Sequence, residues 1–150
     1  MGTNYSGPSA KPHDSGVAVS IIVIKNDKIL LLKRQGGATG EGTWSMPGGG
    51  VEFMEDPLEA ASRELFEETG LKTKKFKMLG YSNDTHEAEK LHYVTFTFYT
   101  DQFEGEPFIA EPHKCTEIGW FSPHKLPSPL YVPLKHQLRT KAVRDIIGLD

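Results

Sequence analysis

The apolar run over residues 16–24 (GVAVSIIVI) restricts the fold more than any other part of the sequence. It is rich in β-branched residues and has almost no polar positions, which is typical of a strand that is covered on both faces. Such a strand lies inside a sheet that carries further layers of structure. We therefore predict a mixed α/β domain with this strand at the centre of its sheet.

The neighbouring segments predict the other elements. Residues 25–28 (KNDK) have turn chemistry, and a second apolar run at residues 29–34 completes a hairpin with the first. Residues 36–42 and 47–50 are Gly-rich and predict loops. The remaining predicted elements are a short strand at residues 43–46, strands at residues 75–82, 91–100 and 117–121, and a final helix at residues 132–147.

Length and composition indicate one domain without disulfides. The chain has 150 residues, 37% apolar and 25% charged, with a formal net charge of −3, so we expect no nucleic-acid polymer as a partner. We predict a flexible tail at residues 1–14 and a single domain at residues 15–150. One cysteine, Cys115, and the lack of a signal peptide or of an apolar run of about 18 residues predict a cytoplasmic protein with no membrane partner.

A strongly capped helix follows the second Gly-rich loop. Asp56 suits the N-cap, Pro57 the first turn, and Glu59 the third position of a capping box. Gly70 is placed to end the helix. These signals enclose about 13 helical residues, or about 20 Å of helix.

The helix has an apolar stripe and an acidic sector beside it. The stripe, which we expect to pack on the sheet, contains Leu58, Ala61, Leu65 and Thr69. The acidic sector contains Glu64, Glu67 and Glu68. Glu64 is three residues from Glu67 and four from Glu68, so the charges of these two pairs repel by about 0.2–0.5 kcal/mol per pair. A divalent cation would turn this repulsion into a binding site. Ala60 lies in the same sector, where its small side chain is expected to leave space for metal and phosphate.

Arg63 is spaced to pair with Glu59, Glu55 or Glu67, and we interpret it as a residue that orients carboxylates. A glutamate cluster alone is more typical of a solvated helix face. Its surroundings therefore decide between the two interpretations.

Those surroundings match a known family motif. The pattern Gly49-x5-Glu55-x7-Arg63-Glu64-Leu65-x-Glu67-Glu68-x-Gly70-Leu71 agrees at every fixed position with the Nudix box, G-x5-E-x7-R-E-U-x-E-E-x-G-U with U aliphatic. The chain thus resembles the Nudix hydrolases over these 23 residues, and the order of the predicted strands is also similar. The resemblance implies the family's α/β/α sandwich with a mixed central β-sheet.

The resemblance also implies roles for the acidic residues. Glu64 and Glu68 would bind Mg²⁺, with Mn²⁺ as a substitute, and Glu67 would be a further ligand or the base that deprotonates water. The carbonyl of Gly48 often completes such a site. The identity of the base varies within the family, and Glu117 is a second candidate whose alternative is a surface strand position.

The substrate pocket is expected from other strands. Residues 91–99 alternate, so that Tyr93, Thr95 and Thr97 share a polar face. Tyr131 lies where similar enzymes place an aromatic residue against the base, although ordinary packing explains it equally well. Arg34 and Lys33 end the second strand, where they are placed to contact phosphates or simply to be solvated.

The segment from His92 to Thr95 resembles the nucleoside-triphosphate branch of the family, and the proline and tyrosine expected after Leu71 in its ADP-ribose and dinucleoside polyphosphate branches are missing. We therefore predict Mg²⁺-dependent hydrolysis of a nucleoside triphosphate to a monophosphate and pyrophosphate, on a small nucleotide substrate. The alternatives are hydrolysis of ADP-ribose or a nucleotide sugar, and a non-catalytic regulator that binds nucleotides. Dimers are common among the proteins that the chain resembles, so a homodimer is the oligomeric state to test.

Overall fold

The computed structural model describes residues 15–37 and 39–149. The predicted tail at residues 1–14 lies outside the described residues. The described part contains seven strands and three helices: β1 (Ser15–Lys25), β2 (Lys28–Arg34), β3 (Trp44–Ser45), β4 (Gly48–Gly50), α1 (Pro57–Thr69), β5 (Lys77–His86), β6 (Leu91–Thr100), β7 (Cys115–Phe121), α2 (Val132–Gln137) and α3 (Lys141–Ile147). Within it, no helix is long and apolar enough to cross a membrane.

The sheet is mixed and β1 is its central strand, as predicted. The strand order is β3-β2-β1-β6-β5, with β4 also paired to β1 and β7 to β2. β1 runs parallel to β6 and antiparallel to β2. Its residues Ile21, Ile22 and Val23 have at most 1% of their surface exposed, because layers cover both faces of the strand.

The predicted hairpin between β1 and β2 is confirmed. Lys25 pairs with Lys28, and the two residues of the turn, Asn26 and Asp27, have φ values of 52° and 62°. Asparagine and aspartate tolerate this left-handed conformation, which two-residue hairpin turns require.

The second Gly-rich loop differs from the prediction, because residues 48–50 form the short strand β4 against β1. A Cβ atom at Gly48 would lie 2.1 Å from the carbonyl oxygen of Val19. Only glycine allows the two backbones to approach so closely. This pairing places the Gly-rich segment directly beside α1.

Helices cover both faces of the sheet. On one face, Ala60, Ala61 and Leu65 of α1 form a core cluster with Val19 and Ile21 of β1. On the other face, the cluster includes Ile22, Leu134 of α2 and Val143 of α3. The arrangement is the predicted α/β/α sandwich.

Three local predictions are wrong. Leu58, in the first turn of α1, is 41% exposed and does not belong to the buried apolar stripe. Ala60 is fully buried and belongs to the core, so it does not line open space for a ligand. The single helix predicted for residues 132–147 is two helices, because Thr140 adopts an extended conformation with ψ 141°.

Candidate active site

The acidic helix begins and ends where its caps predict. The Asp56 side chain accepts a hydrogen bond from the Leu58 N–H at 2.8 Å, and the Glu59 side chain accepts one from the Asp56 N–H at 3.4 Å. Gly70 ends α1 in the left-handed conformation with φ 78°. The two caps fix where α1 begins and ends, and therefore which of its side chains lie next to β4.

Arg63 is the centre of a network of ion pairs. Its guanidinium donates to both oxygens of Glu55, at 2.7 and 2.9 Å, and to Glu64 and Glu67, each at 2.9 Å. It also donates to the carbonyl of Gly50 at 2.9 Å. Arg63 lowers the pKa of Glu55. Of the partners considered from the sequence, Arg63 therefore contacts Glu55 and Glu67, while Glu59 is used in the cap.

Glu64 is packed beneath β4. A Cβ atom at Gly49 would lie 2.5 Å from the carboxyl carbon of Glu64, so the glycine provides the space for this carboxylate. Burial raises the pKa of Glu64 to about 6, against the opposing effect of Arg63. The carboxylate is therefore costly to keep charged where it lies.

Glu68 is the most perturbed carboxylate of the helix. It accepts one hydrogen bond, from the Gly48 N–H at 2.7 Å. Burial, followed by the negative charge of Glu64, raises the pKa of Glu68 to about 8. Two neighbouring carboxylates with raised pKa values are a common feature of active sites. Glu67, in contrast, has a side chain that is 45% exposed.

These residues suit a hard divalent cation. The donors are carboxylate oxygens whose mutual repulsion is only partly offset by Arg63 and Gly48. Within residues 15–37 and 39–149, no three His, Cys, Asp or Glu side chains are already arranged as a metal site, because Glu64 and Glu67 contact Arg63 and Glu68 contacts Gly48. Mg²⁺ needs no such cage, since it usually keeps several waters and uses one or two carboxylates.

The structure adds an acidic residue that the sequence analysis missed. The Oε1 atom of Glu111 is buried without a hydrogen-bond partner, and its charge raises the pKa of Glu68. The Ala110 N–H donates to the Glu68 carbonyl at 3.2 Å, which holds this loop against α1. The loop has no periodicity and lies far from the helix in sequence, so no local signal pointed to Glu111.

Glu117, the second candidate for the base, is an exposed residue of β7. Its side chain is 58% exposed and pairs with Lys33 at 3.3 Å. This is the surface strand position that the sequence left open. The same ion pair occupies Lys33, which had been considered as a phosphate contact.

Arg34 and Tyr131 meet beside the acidic helix. The guanidinium carbon of Arg34 lies 4.0 Å from the centroid of the Tyr131 ring, and its positive charge lowers the pKa of Glu68. Tyr93 and Thr95 lie on β6 and pair with Gly16 and Ala18 of β1. Thr95 is buried and Tyr93 half-buried. Their binding roles, like that of the Gly48 carbonyl, stay predictions.

Known proteins resemble this chain along most of its length. The sequence matches the NUDIX domain family over residues 14–141. A Methanocaldococcus jannaschii protein named ADP-ribose pyrophosphatase is 36% identical over 74% of this chain and 64% of its own length, just under two thirds of that relative. An Escherichia coli protein named 8-oxo-dGTP diphosphatase is 30% identical over 63% of this chain and 72% of its own length.

Solved structures agree with this assignment. A MutT NUDIX hydrolase from Burkholderia pseudomallei superposes with a TM-score of 0.76 at 30% identity, over 90% of this chain and 97% of that one. Because the family match covers residues 14–141, which is most of the sequence, the chain belongs to the Nudix hydrolase family.

Proposed function

We propose that the chain hydrolyses a nucleoside triphosphate, canonical or modified, to a nucleoside monophosphate and pyrophosphate with Mg²⁺. The observation that carries the proposal is that two half-buried carboxylates pack against β4, with Glu64 under Gly49 and Glu68 2.7 Å from the Gly48 nitrogen. Burial raises their pKa values to about 6 and about 8. Added positive charge, such as that of a divalent cation, would stabilise the charged forms of both carboxylates. Arg34 lies close enough to lower the pKa of Glu68 and is suited to bind phosphate.

The residues that would hold the metal are Glu64, Glu67 and Glu68, together with the Gly48 carbonyl. When bound, Mg²⁺ supplies charge neutralisation at the phosphate oxygens and makes water easier to deprotonate. Mn²⁺ has similar ligand preferences and is expected to substitute.

The chain's own residues have separable tasks. Glu67 is the exposed carboxylate of the group and is proposed to take the proton from the attacking water. Arg63 contacts Glu64 and Glu67 and so positions both. Glu111 adds a buried carboxylate oxygen beside Glu68, and is a further candidate for the base or for metal binding.

The substrate side would be served by Arg34, Tyr93, Thr95 and Tyr131. Arg34 is proposed to contact a phosphate, and Tyr131 to contact the base, since the two side chains touch. The pyrophosphatase and diphosphatase names of the two relatives support chemistry at a phosphoric anhydride bond. The archaeal relative favours ADP-ribose as the second candidate substrate.

The first test is product release across a panel of compounds. Canonical and oxidised nucleoside triphosphates, ADP-ribose, nucleotide sugars and dinucleoside polyphosphates are incubated with the protein in Mg²⁺ and then in chelator. Phosphate is measured after added pyrophosphatase for the triphosphates and after added alkaline phosphatase for the other compounds. We expect metal-dependent cleavage of a triphosphate to monophosphate and pyrophosphate. Activity only on ADP-ribose or a nucleotide sugar would replace the substrate class.

Variants test the assignment of the site. Glu67→Gln and Glu68→Gln should each lower turnover by at least about 10²-fold while the fold is kept. Glu117→Gln is the matched control, because Glu117 is an exposed strand residue paired with Lys33. Wild-type rates in both helix variants would place the active site elsewhere, and no cleavage of any compound would favour a nucleotide-binding regulator.

A further inference from the structure

The sheet face opposite α1 is buried but unusually polar. Its buried side chains on β1, β5 and β6 include Ser20, Ser82, Asp84, His86, Thr95 and Thr97. The register confirms that they share a face, since Ser20 pairs with Thr97 and Ser82 pairs with Thr95. Burying polar groups costs free energy unless they find partners, and α2 supplies His136 for Asp84 and Gln137 for Ser20. This face has the polar groups that a polar ligand requires.

Asp84 is the charged residue of this face. It has 0% of its surface exposed, and its Oδ1 lies 2.8 Å from His136 Nδ1. Its Oδ2 accepts a hydrogen bond from the Ser82 hydroxyl at 2.8 Å. Because each carboxylate oxygen has two acceptor sites, Asp84 is held in place and can still accept from a third group.

Gln137 gives independent evidence that a polar group in this region lacks a hydrogen-bond partner. Its Oε1 accepts a long hydrogen bond from the Ser20 hydroxyl at 3.4 Å. Its Nε2 is buried with no hydrogen-bond partner. An unpaired buried donor is costly and suggests a ligand group that this region can recognise.

Two aromatic rings form a wall next to Asp84. The His86 and Tyr131 rings are stacked with centroids 5.7 Å apart and an interplanar angle of 21°. Burial lowers the pKa of His86, which favours the neutral ring. Arg34 lies against Tyr131 at 4.0 Å, which connects this wall to the phosphate side of the site.

We infer that Asp84 is a specificity-determining residue that accepts an N–H of the substrate's nucleobase, held beside the His86 and Tyr131 rings. The inference rests on the proposed function and adds a residue that determines which nucleobase the enzyme accepts. Since Asp84 has no exposed surface, side chains around it must move before the base reaches it. Bases that present an N–H donor at this position are selected over analogues that lack it.

The experiment compares the best-cleaved nucleoside triphosphate with its analogue that lacks one donor. For adenine, cytosine or guanine bases the analogue lacks the exocyclic amino group, and for uracil or thymine it is the 3-deaza base. In the wild type we expect the analogue to lower kcat/KM by about 10- to 100-fold, as for a lost hydrogen bond to a charged group. In Asp84→Ala, whose side chain has no hydrogen-bond acceptor, the ratio should fall to less than about 3-fold.

Thr85→Ala is the matched control, because Thr85 is exposed and lies between Asp84 and His86 on the opposite face of β5. This control should keep the wild-type ratio. If Asp84→Ala does not fold, Asp84→Ser removes the carboxylate, keeps a polar group for His136 and is tested in the same way. The ratio of two substrates on one enzyme does not change through loss of folded protein alone.

The outcomes separate the two proposals. A ratio near 1 in the wild type, or a ratio unchanged in the Asp84 variant, overturns the inference and leaves triphosphate hydrolysis in place. Failure to cleave any nucleoside triphosphate overturns the proposed function, and the inference with it.

Discussion

Replacing Glu68 by glutamine is predicted to stabilise the protein in chelator at pH 8 while it abolishes turnover. Glutamine keeps the carbonyl oxygen that accepts the Gly48 N–H at 2.7 Å. It removes the negative charge that burial and Glu64 make unfavourable. The variant therefore measures the free-energy cost of the buried charge while the hydrogen bond is kept.

The size and sign of the effect follow from the pKa of Glu68. In the folded protein it is about 8, against 4.5 for an ordinary glutamate, which sets an upper limit of about 4 kcal/mol at pH 8. Between pH 4.5 and about pH 8, Glu68 keeps its proton in the folded protein but has lost it in the unfolded chain. The free energy of unfolding therefore falls as pH rises through this range. Because water and local movement relieve part of the cost, we expect a gain of about 2 kcal/mol.

The assay is denaturant unfolding in chelator at pH 5 and pH 8. The wild type should lose stability between the two values, and Glu68→Gln should lose markedly less. Glu117→Gln, at an exposed ion-paired site, should follow the wild type. Added Mg²⁺ should stabilise the wild type at pH 8 more than the Glu68 variant. A Glu68 variant that is less stable than the wild type at pH 8, or equally dependent on pH, would refute the reasoning.

Three further changes test the surrounding contacts. Gly49→Ala would place a Cβ atom 2.5 Å from the Glu64 carboxyl carbon and should lower turnover by about 10²-fold. Gly50→Ala, whose Cβ meets open space, should stay near the wild-type rate. Equal effects of the two variants would contradict the close approach of Glu64 to Gly49. Arg63→Lys loses the two-point contact with Glu55 and should cost about 2 kcal/mol of unfolding free energy, whereas unchanged denaturation would argue against a central role. Glu111→Gln should lower Mg²⁺-dependent turnover by about 10- to 100-fold, and a wild-type rate would leave Glu111 without a role in the site.

Short-range rules explain the parts of the fold that were predicted correctly. The caps at Asp56 and Gly70 act within one turn of α1, so the sequence located both ends of this helix. The turn at Asn26 and Asp27 depends on two adjacent residues. The two short C-terminal helices were missed because Thr140 has the extended conformation of an N-cap in the middle of a helical pattern.

The sequence by itself determined the acidic helix, the central strand and the resemblance to the Nudix family, because caps, periodicity and motif spacing are local properties. Only the tertiary structure brought Glu111 to Glu68 and His136 to Asp84. It also showed that Ala60 belongs to the core and that Glu117 pairs with Lys33. These contacts join segments that are distant along the chain. They depend on how strands and loops pack, which no local pattern encodes.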